Sequence, residues 1–366
     1  MCRGFESLHR HHATPPQDGS HPVEREVAAF FDRRPGVAGA VRGSTVLAAF
    51  SGGPDSSALL IALRACASRF AFRLRAVHVD HRLDEGSAGR ARAARRIARR
   101  LGVAFELRVA RPMPPGLSGE EWARAERYRL LAAAARSAGA KAIVTAHHRL
   151  DQAETVLLRI LFGSGPAGLG AMRPVSDRLG LPLLRPLLDL EPGRLLRYVT
   201  TRGVHPVDDP TNRAPGPRRN FVRRRLLPLL VAETPDVGAR LNRLAAAAQG
   251  AERTVRRLLD EALEPRPGRR CCEIDTSALT RLPGTLWPAA LARLHRLAGA
   301  PYPPTRAARR ELRRQFERRC GNGSSVGCDC GDGWRWEESG DRLRVLRQPS
   351  FAGDQRIELL EEPGTE

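Results

Sequence analysis

Apolar positions in the first part of the chain follow two alternating rhythms. The run 45–50, Thr-Val-Leu-Ala-Ala-Phe, is short and apolar throughout, as a strand buried on both faces should be. Ala58, Leu59, Ala62, Leu63 and Cys66 then fall at helical spacing. A second strand is expected over 74–79. The helix after it shows Ala94, Ile97, Ala98 and Leu101 at i, i+3, i+4 and i+7, with arginines on its other faces. Strands over 103–109 and 142–146 bracket a helix over 120–138. Strands alternating with helices predict an α/β fold with a doubly wound, mostly parallel sheet. Ligands of such sheets sit at the carboxyl ends of the strands.

Beyond Gly163 the rhythm changes. Pro174, Pro182, Pro186 and Pro192 punctuate the chain, and 205–217 reads as loop. From Leu226 to Leu297 the pattern is mostly helical, broken at Glu264-Pro265-Arg266-Pro267-Gly268. Gly-rich turns and alternating runs over 324–347 predict a small β-rich end. Four segments are expected: a disordered tail over 1–22, an ATP-binding catalytic domain over 23–230, a helical domain over 231–300 and a small α/β piece over 301–366. The tail has no periodicity, and Arg3 to Leu8 resemble a mistranslated tRNA-gene arm, so a start nearer Val23 is an expectation as well.

Composition narrows the setting. The 366 residues hold 61 basic and 40 acidic side chains, a formal net charge of +21. All basic residues except Lys141 are arginine. Such an excess favours a polyanionic partner, nucleic acid above all. Aromatic residues make up 5%, so stacking platforms for single strands should be few. No uncharged apolar window approaches membrane-spanning length, no leader-like segment is recognisable, and seven cysteines do not suit a secreted disulfide framework. A cytoplasmic protein is expected. Cys271, Cys272, Cys320, Cys328 and Cys330 lack the C-x-x-C spacing of a zinc site. Nothing in the pattern fixes an oligomeric state.

The strongest chemical signal is Ser51-Gly52-Gly53-Pro54-Asp55-Ser56, directly after the first strand and before a helix. Two glycines let the backbone turn several N–H groups toward one point, and the helix start adds a positive dipole end. The result is a phosphate cradle, without the Gly-Lys-Ser/Thr of a Walker A loop.

The six residues resemble the PP-loop of the N-type ATP pyrophosphatases, and their neighbours narrow the likeness to the tRNA(Ile)-lysidine synthetase family. Val79-Asp80-His81-Arg82-Leu83 is similar to that family's V-D-H-G-L-R. Ala146-His147-His148-Arg149-Leu150-Asp151-Gln152-Ala153-Glu154-Thr155 is similar to its A-H-H-x-D-D-Q-x-E-T. Gly163-Ser164-Gly165, Gly168-Leu169 and Met172 continue the likeness, followed by Arg185-Pro186-Leu187-Leu188, Asp208-Asp209-Pro210-Thr211-Asn212 and Arg219-Asn220-Phe221-Val222-Arg223. Three positions depart from the family pattern. Leu150 stands for the first Asp of a pair, Phe162 for a basic residue before Gly-Ser-Gly, and Arg82 for a glycine.

The resemblance implies ATP-dependent ligation of free lysine to the wobble cytidine of isoleucine tRNA with a CAU anticodon, through an adenylated cytidine, with Mg²⁺ accompanying ATP. The alternatives are another PP-loop tRNA-modifying enzyme of the thiolase type, or a non-catalytic basic RNA-binding protein with a degenerate nucleotide site. On the likeness, Ser51, Gly52, Gly53, Pro54, Asp55, Ser56, His81 and His147 are expected to hold ATP. Asp55, Asp151, Glu154 and Arg223 are the expected catalytic residues, with Asp55 and Asp151 toward metal. Asp55 could instead cap its helix, and Asp151 with Glu154 could form a capping pair. His148 is a further phosphate candidate, and Glu120, Arg124, Arg127 and Tyr128 match a family helix whose arginines could meet phosphate. Arg218, Arg219, Arg223 and Arg224, and in a second cluster Arg306 and Arg310, are expected to bind tRNA.

Overall fold

The computed structural model describes residues 21–114, 119–177, 180–207, 217–300, 302–319 and 326–348. The expected tail, apart from His21 and Pro22, lies outside them, as do Asp208, Asp209 and Cys320. The chain forms two compact units, Met1–Gln249 and Gly250–Glu366.

The first unit opens with α1 (Pro22–Asp32) and α2 (Pro35–Val41), which the strand-helix rhythm did not reveal. His21 caps α1: its Nδ1 accepts the Val23 N–H, and Glu24 takes the His21 N–H in return. Then come β1 (Thr45–Ala49), α3 (Pro54–Ala67), β2 (Arg73–Asp80), α4 (Ser87–Arg100), β3 (Ala104–Val109), α5 (Gly119–Ser137), β4 (Ala140–Val144) and α6 (Arg149–Leu161). Each strand and helix expected over 45–161 is present within a few residues. The proline-rich stretch adds a 3₁₀ turn (Pro166–Gly170), β5 (Val175–Asp177), β6 (Pro182–Leu184) and α7 (Pro192–Thr201).

The six strands lie in the order β3-β2-β1-β4-β6-β5, parallel except for β5 against β6. The chain winds outward from β1 to β3, then returns to pair β4 with β1. The carboxyl ends of β1 and β4 therefore flank the point where winding reverses, the expected place for a ligand crevice. Val46, Leu47, Ile143 and Val144 are fully buried, because helices cover both faces of a parallel sheet.

A segment of α8 (Pro217–Phe221), a π turn (Val222–Leu226) and α9 (Leu227–Glu233) follows. Pro228 explains the π turn. It has no N–H, and its ring crowds the carbonyl four residues earlier. The preceding turn widens instead, and the Leu227 N–H reaches the Val222 carbonyl. α10 (Val237–Leu263) begins in the first unit and ends in the second.

The second unit continues with β7 (Arg266–Gly268), β8 (Cys271–Asp275), α11 (Thr276–Thr280), α12 (Trp287–Leu297), α13 (Arg306–Arg319), β9 (Gly327–Gly331), β10 (Trp334–Ser339) and β11 (Arg342–Arg347). Its antiparallel sheet has the order β7-β8-β11-β10-β9. The expected break in the helical stretch is thus a hairpin, β7 with β8, that joins the β-rich end. Leu259, Ile274, Leu291, Leu312, Trp336 and Val345 share one core, so the later part of the segment expected over 231–300 packs with the one expected over 301–366, while 231–249 belongs to the first unit.

Candidate active site

Seven residues connect β1 to the body of α3, and their hydrogen bonds close on one another. The Ser56 hydroxyl accepts the Gly52 N–H at 3.1 Å, donates to the Gly53 carbonyl at 3.1 Å and lies 3.0 Å from the Ser51 hydroxyl. Ser57 Oγ donates to the Gly52 carbonyl at 3.2 Å. Gly52 has φ +87°, and a Cβ there would stand 2.9 Å from Val207 Cγ2, so both backbone and space demand glycine. Pro54 occupies the first turn of α3, where its missing N–H costs nothing. The glycine turn thus leads from β1 directly into the N-terminus of α3.

Asp55 projects from the first turn of α3 without capping it. Its carboxylate lies 3.7 Å from His148 Nε2. The same imidazole nitrogen lies 3.5 Å from Asp151. Burial and the Asp151 charge raise the proton affinity of Asp55, against the opposing pull of His148 and Arg223.

Asp151 serves two partners at once. One oxygen accepts the His148 N–H at 3.0 Å and, with the His148 ring, completes a capping box on α6. The other lies 3.3 Å from Arg223. Burial pushes its pKa up, but His148, His147, the His148 N–H and Arg219 outweigh that and hold it below the usual carboxylate range. Asp151 thus caps α6 with His148, not with Glu154, and also stands beside Arg223.

Glu154, one turn further along α6, has a side chain only 3% exposed. Arg223 Nε donates to it at 2.5 Å and Arg219 Nε at 3.0 Å. A buried carboxylate with two guanidinium partners satisfies its charge. The same contacts hold Arg223 firmly protonated, despite its burial, through Glu154 and Asp151.

His147 at the end of β4 has its Nδ1 2.9 Å from the Thr145 hydroxyl. Burial, aided by nearby arginines and opposed by Asp151, takes its pKa down to about 3, so it is a neutral ring. His81 follows β2 and meets the edge of Trp122 at 5.9 Å between centroids. Burial and Arg127 lower its pKa to about 4.

The structure brings Asp55, Asp151, Glu154, Arg219 and Arg223 together with the Ser51–Ser56 loop. It adds His148 between the two aspartates, a contact the sequence motif left open between phosphate binding and structure. Arg124 stacks over the Tyr128 ring at 5.3 Å. Arg306 and Arg310 belong to α13 in the second unit and stand exposed. Gln152 was not singled out from the sequence. Its side-chain amide clasps Met172 at both N–H and C=O, at 2.9 and 2.8 Å, and ties the segment after the 3₁₀ turn to α6.

The three departures from the family pattern have local explanations. Leu150 turns away from the carboxylates and packs with Ala153, Leu157, Val222 and Leu227. Phe162 lies under the Arg218 guanidinium, 4.6 Å from its centroid. Arg82 adopts φ +51°, a conformation that favours glycine, and its N–H is held by Asp80 at 2.9 Å.

Comparison with known proteins places these features. A PP-loop domain family model matches residues 20–230. A tRNA(Ile)-lysidine synthase of Bradyrhizobium sp. is 44% identical over 65% of this chain and 70% of its own length. One from Methylobacterium nodulans is 39% identical over 80% of this chain and 86% of its own. Among solved structures, the U34-tRNA thiolase NcsA from Methanococcus maripaludis superposes with a TM-score of 0.54 at 15% identity, covering 62% of this chain and 78% of that one, which is a likeness of fold.

Proposed function

The chain belongs to the tRNA(Ile)-lysidine synthase family of PP-loop proteins, and on that premise we propose how it joins lysine to the wobble cytidine of isoleucine tRNA bearing a CAU anticodon. ATP is consumed to AMP and pyrophosphate. The observation that carries the reading is the convergence of Asp55, Asp151, Glu154, Arg219 and Arg223 on the phosphate loop, at the point where the sheet reverses its winding.

The cytidine ring carbonyl is urea-like and a poor electrophile. Transfer of AMP to its oxygen makes that oxygen a leaving group, after which the lysine amine attacks the ring carbon. The loop N–H groups and the α3 N-terminus hold ATP phosphates. Arg219 and Arg223, locked by Glu154, present fixed positive charge where negative charge builds on the transferring phosphoryl group. Asp55 and Asp151 both face His148 and supply hard oxygens. Such a pair suits Mg²⁺ shared with phosphates and waters, and no all-protein metal cage exists among the described residues. The ion, when bound, neutralises phosphate charge.

Lysine enters as an ammonium and must lose a proton to attack. A carboxylate of this cluster that is not on the ion is suited to accept it. We place the reaction in the cytoplasm, where ATP, lysine and tRNA meet. No described helix is long and apolar enough to cross a membrane.

The test is incubation with labelled lysine, ATP and an isoleucine tRNA transcript bearing CAU. Label should enter the tRNA with one AMP released per lysine. Absence of tRNA-bound label while ATP is still hydrolysed would overturn the reading.

A further inference from the structure

Only three aromatic side chains of the described residues stand exposed: Phe162, Phe221 and Tyr302. Phe162 directly follows the last residue of α6 and Phe221 ends α8. These are the two helices that supply Asp151, Glu154 and Arg219, with Arg223 in the π turn that continues α8. Phe162 is 48% exposed and follows Ile160 and Leu161, both exposed as well. The fold has no use for an aromatic ring there. α6 is terminated by Gly163 at φ +79°, a backbone device independent of the side chain before it.

The ring is nevertheless held in place. The Arg218 guanidinium lies over it, 4.6 Å from the centroid, which fixes one face and leaves the ring accessible. Arg218, Arg224 and Arg225 stand exposed on α8 and the π turn, both of which contact α6, and no carboxylate among the described residues pairs with Arg224 or Arg225. An open aromatic ring within a field of unpaired guanidiniums matches a single-stranded nucleic acid, whose bases stack while its phosphates meet arginine. Phe162 follows Glu154 by eight residues, so it stands about 12 Å along α6 from the reacting groups. That distance places it beside the reactive nucleotide and not at it.

We propose that Phe162, braced by Arg218, is a stacking platform for an unpaired base of the tRNA anticodon loop next to the cytidine being modified. The proposal rests on the tRNA-modifying reading above. Stacking supplies affinity without a charge contact, so it has a signature distinct from the arginines. Removing it should weaken tRNA binding at every salt concentration equally.

The experiment uses the full chain and a CAU isoleucine tRNA transcript, with Phe162→Ala, Phe162→Leu, Phe162→Trp and Arg218→Ala. The Ala and Leu variants should lose about tenfold in tRNA affinity, with an unchanged salt slope and unchanged tRNA-independent ATP binding. Arg218→Ala should lower the slope by about one. Phe162→Trp should bind like the parent, and its added indole emission should be quenched by tRNA. Parental affinity in both Ala and Leu variants, or an indole that tRNA does not quench, overturns the proposal. So does a loss that extends to ATP binding, because Phe162 would then be holding the site together. If Phe162→Ala fails to fold, the Leu and Trp variants decide. A parent that makes lysidine, with Phe162 variants that bind tRNA as it does, refutes the platform alone. A parent that binds no tRNA refutes the function and the platform together.

Discussion

Two arginine helices in this chain have the same spacing and opposite settings. Arg219 and Arg223 are four apart across α8 and its π turn, and both reach inward to Glu154, whose side chain is 3% exposed. Arg306 and Arg310 are also four apart, on α13, but point to solvent over a core side of Ala308, Leu312 and Phe316. The carboxylates near them are surface groups: Glu311 pairs with Arg314, and Glu317 with Arg313. An i, i+4 arginine pair is therefore not one kind of feature. What it does depends on whether the next layer offers a buried carboxylate or water, and only packing decides that.

The largest contrast should come from the carboxylates. Glu154→Ala would leave two guanidiniums facing each other in a half-buried space, and breaking such a pair costs about 3–5 kcal/mol. Lysidine formation should become undetectable. Glu317→Ala should cost about 0.5 kcal/mol or less, because its pair with Arg313 is solvated. Denaturant unfolding of the two variants checks the ratio. Similar destabilisation in both would erase the distinction between the two helices.

Asp55 and Asp151 should sharpen the inward side of the comparison next. The proton affinity of Asp55 is raised in the fold, so its ionised form opposes folding. That penalty grows as pH rises from the ordinary carboxylate range through the folded pKa, and Asp55→Asn removes it. This variant should melt no lower than the parent at neutral pH, while adenylation falls by at least a hundredfold. Asp151 has the opposite sign. Its lowered pKa gives stability that is full above the ordinary carboxylate range and lost as pH falls through the folded value. Asp151→Asn should therefore melt lower than the parent at pH 7, with the gap closing in acid. Melting scans between pH 3 and pH 7 test both signs. A fall in Asp55→Asn stability at pH 7 would contradict its assignment.

The sequence was most legible where period and loop chemistry agree. The run 45–50 followed by two glycines and Pro54 can only be a buried strand, a tight turn and a helix start, and the structure has them. The five carboxylate and arginine positions, Asp55, Asp151, Glu154, Arg219 and Arg223, could be named from motif order, but not their pairing. Val222 at the apolar contact and Pro228 at the π turn decide which way Arg219 and Arg223 point, and a π turn has no sequence period. Leu150 illustrates the reverse. Read as a motif position it removes a carboxylate; read as a helix position it lies on the face that packs Val222 and Leu227. The strands β5 and β6 were missed because three residues between prolines cannot show an alternation. In the β7–β8 hairpin the three residues of β7 share that limit, and in β8 the adjacent Cys271 and Cys272 blur the alternation.

The smallest effect belongs to the solvent-facing pair. Arg306→Ala with Arg310→Ala removes no buried contact, so the melting temperature should stay within about a degree. If α13 meets tRNA phosphates, the double variant should lower the salt slope of tRNA binding by about two and weaken affinity equally for any RNA sequence. Arg218→Ala with Arg224→Ala should lower the slope by a similar amount, yet reduce lysine ligation more, because those residues flank groups that contact Glu154 and Asp151. The comparison thus separates two uses of arginine by rate and not by affinity alone. An unchanged slope for the α13 pair would mean that this helix presents charge to water only, and that the tRNA is held by the first unit.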